Sequence, residues 1–221
     1  MINVDNEYIM LGLAFIGGEA PEPDLCQLLA RRADLIVAAD SGLQTAENAG
    51  LRPDWVIGDM DSLDDLGRLE KYPADKVLRF RQDKDHTDTE LALDLLREQG
   101  CEKICIIGGG GGRLDHILAL RSLFERKKYP ERWVTKNEDI YCLDVLNTSG
   151  GVLNIKVPLS SLVSVFPLGS GPWDIESNGL KWPLNGLSWE MGSIGISNTT
   201  VEDQFGIRVN KGRFLLIVPL I

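Results

Sequence analysis

Histidine and cysteine are scarce in this sequence of 221 residues, which has two histidines and four cysteines. The cysteines are Cys26, Cys101, Cys105 and Cys142, and none of them forms a Cys-x-x-Cys pair. Structural zinc sites usually combine such pairs with histidines, so a zinc site is not expected. We expect four free, buried thiols, because an unpaired cysteine packs like a small apolar residue.

Long apolar runs and a basic N-terminal leader are also missing. No apolar stretch reaches the roughly 18 to 20 residues that a membrane-spanning helix requires. The first eight residues carry Asp5 and Glu7, whereas a signal peptide would begin with basic residues. These features predict a cytoplasmic protein without a signal peptide and without a membrane partner.

Basic residues are outnumbered as well. The chain has 23 lysines and arginines against 33 aspartates and glutamates, for a formal net charge of −10. A broad nucleic-acid footprint needs a basic face, so DNA or RNA is not an expected partner. An anionic small substrate is compatible with this charge if a metal ion or a few local cations offset the carboxylates.

Short apolar runs alternate with helix-like stretches in the first half of the chain. Strands are predicted at residues 9–16, 35–39, 55–57, 77–80 and 104–107, and helices at residues 24–33, 87–99 and 114–127. This alternation is typical of an α/β layer with a mainly parallel sheet. Because ligands of such sheets bind beyond the carboxyl ends of the strands, the polar residues that follow each run are expected to meet at one edge.

The pattern changes after about residue 130, where short β-rich runs are separated by glycine and proline. Strands are predicted at residues 152–157, 162–166, 194–197 and 214–218. Such runs are typical of an antiparallel sandwich or partial barrel. The sequence therefore predicts an α/β domain at residues 1–132 and an antiparallel, β-sandwich-like domain at residues 133–221.

The segment Gly58-Asp59-Met60-Asp61-Ser62 is the sharpest chemical feature, and it follows a predicted strand. Two carboxylates at positions i and i+2 of a turn can point into one loop. Magnesium needs only two or three protein carboxylates, because water and phosphate oxygens complete its shell. The same segment could simply turn the chain, with Ser62 capping a helix. Both interpretations stay open on the sequence alone.

A second acidic segment runs Asp83-Lys84-Asp85-His86-Thr87-Asp88. Thr87 and Glu90 have the spacing of a capping box, which predicts a helix start, and an acidic first-turn residue suits the helix dipole. Three aspartates within six residues exceed what capping requires, and a bound cation would relieve their repulsion. Lys84 could neutralise them or contact a phosphate as a point charge.

Five consecutive glycines, residues 108–112, precede Arg113-Leu114-Asp115-His116. Glycine lets backbone N–H groups approach phosphate oxygens, and a helix N-terminus favours anions. The loop is neither a P-loop nor a complete Gly-x-Gly-x-x-Gly motif, because Arg113-Leu114 stands where these would need other residues. A plain flexible loop is the alternative, but the guanidinium of Arg113 favours phosphate contact.

In order and spacing, these segments resemble the thiamine pyrophosphokinase family. The resemblance is carried by residues 40–42, 58–62, 83–88, 109–116 and the turn at 195–198. It implies a magnesium-dependent transfer of pyrophosphate from ATP to thiamine, which yields thiamine diphosphate and AMP. It also implies a homodimer that binds thiamine where the α/β domain of one subunit meets the β domain of the other.

The resemblance further implies roles for individual residues. Asp59, Asp61 and Asp88 would bind magnesium and, with Arg113, form the catalytic set. Substrates would contact Asp40, Asp83, Lys84, Asp85, Thr87, Gly109, Gly110, Gly111, Gly112, Asp115, His116, Ser197 and Asn198. Within this group, Ser197 and Asn198 would contact thiamine, and the others would line the ATP site.

Two other functions remain open at this point. The chain could be another magnesium-dependent phosphotransferase on the same scaffold, or a non-catalytic regulator that binds a nucleotide or thiamine. An intact set of metal-binding carboxylates argues against the regulator. The sequence does not identify a general base.

Asp61→Asn tests the predicted metal role of Asp61. The variant is expected to keep its fold and to lose nearly all turnover, because a neutral amide is a poor magnesium ligand. Product formation from ATP and thiamine can be followed by chromatography, with the melting temperature as the control for folding. Turnover close to that of the wild type would contradict this role.

Overall fold

The computed structural model describes residues 8–61, 63, 65–81, 83, 85–148 and 151–221. Within these ranges, no helix combines the length and the apolar character needed to cross a bilayer. The chain divides into two compact units, Met1–Arg113 and Leu114–Ile221. The domain boundary predicted between residues 132 and 133 rests on the change in sequence pattern, whereas this division reflects contacts within each unit. The predicted boundary stays a prediction.

The first unit is built on a five-stranded parallel sheet. Its strands are β1 (Leu11–Phe15), β2 (Leu35–Ala39), β3 (Trp55–Gly58), β4 (Val77–Arg79) and β5 (Lys103–Ile107). They lie in the order β5-β1-β2-β3-β4, and every neighbouring pair is parallel. The helices are α1 (Pro23–Ala30), α2 (Gly42–Asn48) and α3 (Asp88–Glu98), with two 3₁₀ helices at Leu66–Lys71 and Ala74–Lys76.

The central strands form because their apolar residues are buried on both faces of the sheet, as is usual for parallel strands. Residues 104–107 of β5 are all buried. Helix α3 packs against β1, β2 and β3. Its buried residues are Ala92, Leu93, Leu95 and Leu96. The mainly parallel α/β arrangement predicted for this part of the chain is confirmed.

Polar loops leave the carboxyl ends of neighbouring strands in this sheet. Asp40 follows β2, Asp59 follows β3, and Gly108 follows β5. Because the strands are parallel, these loops lie at the same edge of the sheet, where ligands of such folds bind. The predicted convergence of the polar clusters after the strands of this unit is therefore seen in the fold.

Gly42, the first residue of α2, lies against the end of β1. A Cβ atom added at this position would lie 2.2 Å from the carbonyl oxygen of Phe15 and 2.7 Å from the backbone nitrogen of Ile16. Only glycine lets the first turn of α2 come this close to the strand. The contact therefore sets where the chain runs immediately after Asp40.

The second unit begins with α4 (Leu114–Leu123) and continues as antiparallel β structure. Its strands are β6 (Arg132–Val134), β7 (Glu138–Asp144), β8 (Leu153–Lys156), β9 (Leu162–Leu168), β10 (Asp174–Asn178), β11 (Gly195–Thr199), β12 (Gln204–Lys211) and β13 (Arg213–Pro219). One sheet has the order β11-β9-β13-β7-β6. The other has the order β10-β12-β8.

The two sheets of the second unit share one apolar core. Val163 and Phe214 contribute from one sheet, and Phe205 and Ile207 from the other. Trp173 and Trp189 pack against this core. Two antiparallel sheets with a common core make a sandwich, so the predicted β-sandwich-like fold is confirmed.

Most predicted elements are present, with ends that differ by a few residues. The helix predicted at 114–127 ends earlier, at Leu123. Helix α2 was not predicted, because seven residues without a side-chain cap leave little local signal. All four cysteines are free and buried, as expected.

Gly42→Ala is expected to lower the free energy of unfolding by about 2 to 3 kcal/mol, because the added methyl overlaps backbone atoms of β1. This loss exceeds the gain of about 1 kcal/mol that alanine brings to a helix. Urea unfolding measures the difference. Gly151→Ala is the matched control, since its nearest neighbour would be 3.6 Å away. Equal unfolding midpoints for the two variants would contradict the proposed close contact.

Candidate active site

Three carboxylates meet at the carboxyl edge of the sheet in the first unit. Asp40, Asp59 and Asp88 each offer one oxygen, and these three atoms lie within 4.8 Å of one another. All three residues are partly buried. No other group of three acidic, histidine or cysteine residues with this spacing occurs in the described part of the chain. Such a concentration of negative charge favours a cation.

The loop after β3 has a backbone that makes room for Asp40. Gly58 has a φ of 143°, and a Cβ there would lie 2.0 Å from Asp40 Oδ1. Asp40 and Met60 have φ values of 45° and 65°, in the left-handed region that side chains seldom allow. The Met60 N–H donates a hydrogen bond of 3.1 Å to Asp40 Oδ1. This hydrogen bond links Asp40 and Met60, the two residues with a left-handed backbone.

Met60 separates the two aspartates of its segment. Met60 is only 4% exposed, whereas Asp61 is exposed. The Asp61 N–H donates a hydrogen bond of 3.1 Å to Asp59 Oδ1 and so orients that carboxylate. Of the three predicted metal ligands, the structure brings Asp59 and Asp88 together with Asp40, and Asp61 is outside this group. Its role as a metal ligand stays a prediction.

Asp88 is positioned by the start of α3. The Glu90 N–H donates to Thr87 Oγ1 at 3.2 Å, and the Thr87 N–H donates to Glu90 Oε2 at 2.8 Å. This is the capping box that the sequence predicts. Asp88 is the first residue of the helix, where the helix dipole favours negative charge. Packing of α3 on the sheet then holds this first turn near the strand ends.

The environment of Asp40 raises the pKa of its carboxyl to about 7. Burial is the main cause, followed by the hydrogen bond to Asp88 and by repulsion from that residue. Repulsion from Asp59 adds to the rise, and the hydrogen bond from the Met60 N–H acts against it. Without a cation, the Asp40 carboxyl therefore keeps its proton to a higher pH than an ordinary aspartate does.

The chemistry of this group fits a hard divalent cation. Its donors are carboxylate oxygens, which magnesium and calcium prefer, and magnesium usually takes only a few of them. The group contains no thiolate or imidazole, the ligands that favour zinc and copper. Asp40, Asp59 and Asp88 could therefore hold a magnesium ion whose remaining positions are filled by water and phosphate oxygens.

The acidic segment before α3 is largely exposed. Asp83, Asp85, His86 and Thr87 are exposed, and Lys84 lies outside the described residues. The imidazole of His86 is 3.7 Å from a carboxylate oxygen of Glu90 in α3. Because Thr87 uses its hydroxyl oxygen to cap α3, any contact with a substrate must share that oxygen. Contacts of this segment with ATP stay a prediction.

Part of the glycine-rich loop is hydrogen-bonded to the loop that follows β1. The Gly109 N–H donates to the carbonyl of Gly17 at 2.8 Å, and the Gly110 N–H donates to that of Glu19 at 3.0 Å. The Glu19 N–H donates back to Gly110 at 2.7 Å. Residues 111–112 are exposed, with φ values of 64° and 72°. The tip of the loop is therefore the part that can approach a ligand.

Arg113, Asp115 and His116 lie where the glycine-rich loop passes into α4. All three are exposed. Asp115 is in the first turn of α4, and its Oδ1 accepts a hydrogen bond of 3.1 Å from the His116 N–H. Helix α4 belongs to the second compact unit. The predicted contacts of these residues with ATP stay predictions.

The predicted thiamine-contacting turn lies at an irregularity in β11. The strand register shifts between Gly195 and Asn198, and the exposed Ser197 has a φ of 60°. Asn198 is only 8% exposed. Its Oδ1 accepts from the N–H groups of Trp182 and Thr199 at 3.1 and 2.9 Å, and its Nδ2 donates to the Trp182 carbonyl at 2.6 Å. Asn198 thus holds the Trp182 segment against β11.

Sequence reasoning placed Asp40 beside the site but did not include it among the metal ligands. The available signal was its position: Asp40 directly follows β2, and Asp59 directly follows the neighbouring strand β3. The roles of Gly58 and Met60 had no comparable signal, because they depend on a close approach and on a left-handed backbone. Both features are visible only in the folded chain.

Two family models match the chain in succession. The one described as "Thiamin pyrophosphokinase, catalytic domain" matches residues 26–133, and "Thiamin pyrophosphokinase, vitamin B1 binding domain" matches residues 153–214. Among characterised proteins, the thiamine pyrophosphokinase of Bacillus subtilis (strain 168) is 30% identical over 190 residues. That alignment covers 83% of this chain and 86% of the relative.

Solved structures share the fold along nearly the whole chain. The crystal structure of thiamine pyrophosphokinase from Bacillus subtilis has a TM-score of 0.74 at 25% identity, and covers 95% of this chain and 99% of its own. The enzyme from Geobacillus thermodenitrificans has a TM-score of 0.71 at 25% identity, with 96% and 98% covered. Thiamin pyrophosphokinase from Candida albicans, at 18% identity, shares the fold with a TM-score of 0.71, with 96% and 90% covered.

In the metal-free protein, Asp40→Asn is expected to become more stable than the wild type as the pH rises. The pKa of Asp40 is about 7 in the folded state and 3.8 ordinarily, so the folded state binds the proton more tightly. The wild type therefore loses stability between about pH 4 and pH 7, and the variant does not. Asparagine also tolerates the left-handed backbone. After solvent screening, we expect a gain of about 1 to 2 kcal/mol at pH 8 relative to pH 4.5.

Thermal unfolding in EDTA at these two pH values measures the effect. Asp75→Asn is the matched control, because Asp75 is exposed and lies outside the carboxylate group. The control should change stability equally at both pH values. A gain for Asp40→Asn that does not increase with pH would contradict the raised pKa of Asp40.

Proposed function

The chain belongs to the thiamin pyrophosphokinase family, and from this membership and the carboxylate group we infer how its reaction proceeds. It is an enzyme, a thiamine diphosphokinase, which makes thiamine diphosphate. The family implies ATP and thiamine as its substrates, and a divalent metal is general for this class of kinase. The inferences that follow concern the identity of the metal, the residues of the site, the assembly and the location of the enzyme.

The metal is proposed to be magnesium, held by Asp40, Asp59 and Asp88. The observation that supports this proposal is the approach of three carboxylate oxygens to within 4.8 Å of one another. Asp61 was predicted as a ligand with Asp59 and Asp88. In the proposal it completes the site from the exposed side of the same loop, directly or through a water molecule.

When bound, magnesium would neutralise charge on the phosphates of ATP. The groups of the chain would position the triphosphate around it. Arg113 suits phosphate geometry because its guanidinium can donate two parallel hydrogen bonds. The backbone of residues 111–112 offers N–H groups at the exposed tip of the glycine-rich loop. Asp83, Lys84 and Asp85 are proposed to line the same phosphates.

The proposed reaction is an in-line transfer. The hydroxyl oxygen of thiamine forms a bond to the β-phosphorus of ATP while the bond from that phosphorus to the oxygen bridging to the α-phosphorus breaks. The bridging oxygen keeps the electron pair and leaves as part of AMP, and a carboxylate at the sheet edge accepts the hydroxyl proton. Catalysis of this kind depends on positioning and on charge neutralisation more than on covalent chemistry.

Thiamine is proposed to contact Ser197 and Asn198. The hydroxyl of Ser197 is exposed, so it can donate to or accept from the substrate. Asn198 already uses both acceptor positions of its Oδ1 and one N–H of its Nδ2. The other N–H has no acceptor among the residues that the structure describes, so it can donate to a substrate. The role of Asn198 is therefore mainly structural, and Ser197 is proposed as the more direct contact of thiamine.

The working assembly is proposed to be a homodimer in the cytoplasm, with thiamine bound between the α/β domain of one subunit and the β domain of the other. The formal net charge of −10 supports the absence of a nucleic-acid partner, since such partners require a basic face. No membrane partner is proposed. Size-exclusion chromatography with light scattering tests the dimer.

The products formed from ATP, magnesium and thiamine test the proposed reaction. Chromatography should show thiamine diphosphate and AMP in equal amounts, and EDTA should abolish both. ADP or free phosphate would instead indicate another magnesium-dependent phosphotransferase or a phosphohydrolase. Binding of both substrates without any product over hours would indicate a regulator.

Asp59→Asn tests the carboxylate group within that assay. We expect at least about a hundredfold loss of turnover, because several kcal/mol of charge stabilisation are removed with one ligand. Glu98→Gln is the matched control, since this exposed residue at the end of α3 lies outside the group. The control should retain wild-type turnover. A loss of less than about tenfold in Asp59→Asn would contradict the proposed metal site.

A further inference from the structure

A cleft lies in the first unit, and none of its lining residues belongs to the carboxylate group. It has a volume of about 430 Å³ and is formed by the end of α2, the segment that follows it and the 3₁₀ helix at Leu66–Lys71. Glu47 stands in this cleft near the end of α2, and Asp40 precedes the start of the same helix. At 1.5 Å per residue, the two are separated by about 10 Å along the helix.

The charge of this cleft is opposite to that of the chain as a whole. Arg52, Arg68 and Lys71 line it, and Glu47 is the one carboxylate among the lining residues that the structure describes. Among these described residues the cations therefore outnumber the carboxylates, in a chain whose formal net charge is −10. Clustered cations repel one another, and a bound anion would relieve that repulsion.

Glu47 organises part of this surface by contacting two of its cations. It accepts a hydrogen bond of 2.5 Å from Arg68, and Lys71 Nζ lies 3.9 Å away. Arg52 donates to an uncharged partner, the carbonyl oxygen of Lys71, at 2.7 Å. The guanidinium of Arg52 also lies 5.7 Å from the centre of the Tyr72 ring. Neither of these two contacts neutralises its charge.

The carbonyl groups at the end of α2 do not oppose an anion strongly. Those of Thr45, Ala46 and Glu47 accept from the backbone N–H groups of the next turn, and the Ala49 carbonyl accepts from Gln27 Nε2 at 2.8 Å. These hydrogen bonds satisfy the end of a helix that is only seven residues long. Its residual negative charge is small compared with the full charge of a lysine or arginine side chain.

We propose that this cleft binds a dianionic phosphate group through Arg52, Arg68 and Lys71. Guanidinium groups match phosphate oxygens, and the ammonium group adds a point charge. The cleft is larger than a phosphate ion needs and falls in the range of small-molecule sites. Leu51 and the ring of Tyr72 provide apolar surface for the rest of a phosphate monoester. The proposal does not depend on the reaction catalysed elsewhere in the chain.

Calorimetric titration of the whole protein in EDTA tests the proposal. Inorganic phosphate and phenyl phosphate serve as the probes, and without a divalent cation the acidic group repels both of them. Saturable binding is expected. Lys71→Gln and Arg52→Gln should each weaken it by about threefold to tenfold. Lys71 is well exposed, with 67% of its side chain accessible, so Lys71→Gln should fold normally.

Two control variants establish whether the bound phosphate occupies this cleft. Arg32→Gln removes one exposed cation of the same unit outside the cleft and should bind like the wild type. Asp59→Asn should also retain binding, since it alters only the carboxylate group. Tighter binding of phenyl phosphate assigns the site to a phosphate monoester, and equal affinities assign it to inorganic phosphate. The proposal is overturned by the absence of saturable binding, by wild-type affinity in both cleft variants, or by loss of binding in Asp59→Asn.

Discussion

Repulsion among three carboxylates at one edge of a parallel sheet is the constraint on which the first unit depends. Asp40, Asp59 and Asp88 come from two strand ends and one helix start, and each is partly buried. Burial, followed by the hydrogen bond to Asp88 and repulsion from that residue, raises the pKa of Asp40 to about 7. The surrounding fold therefore holds together three partly buried carboxylates that repel one another when no cation is bound. Such an arrangement persists only where well-packed elements determine the position of every group.

The residues that hold this arrangement have little reactive chemistry of their own. Gly42 lets α2 approach β1, and Gly58 leaves space for the Asp40 carboxyl. Met60 is buried and has a left-handed backbone. Of the two aspartates beside it, Asp59 belongs to the carboxylate group and Asp61 does not. Backbone shape at these three positions therefore decides which side chains can share a cation. The capping box of α3 adds Asp88 by a local mechanism that does not require any strain.

Hydrogen bonding performs a similar task in the second unit. Asn198 is buried and holds the backbone of Trp182 by accepting from its N–H and donating to its carbonyl. The exposed Ser197 beside it adopts a left-handed backbone. A polar side chain with most of its hydrogen bonds satisfied within the protein has mainly a structural role and few groups left to bind a ligand. The likeness to thiamin pyrophosphokinases extends through this region as well as through the α/β unit.

The sequence by itself determined the features that are local. Alternating apolar runs predicted the parallel strands, the Thr87 and Glu90 spacing predicted the start of α3, and the acidic segments after the strands predicted a cation-binding edge. These signals are readable because each depends on residues within a few positions of one another. The order of the motifs was sufficient to indicate the family.

Only the tertiary structure decided which carboxylates meet and where the opposite charge collects. Asp40 joins Asp59 because β2 and β3 are neighbours and because the backbone at Gly58 and Met60 brings their loops together. Asp61, in the same loop as Asp59, is exposed and lies outside the group. The cationic cleft likewise combines the end of α2 with a 3₁₀ helix some twenty residues later in the chain. Neither outcome can be read from spacing, because both depend on packing between segments that are distant in sequence.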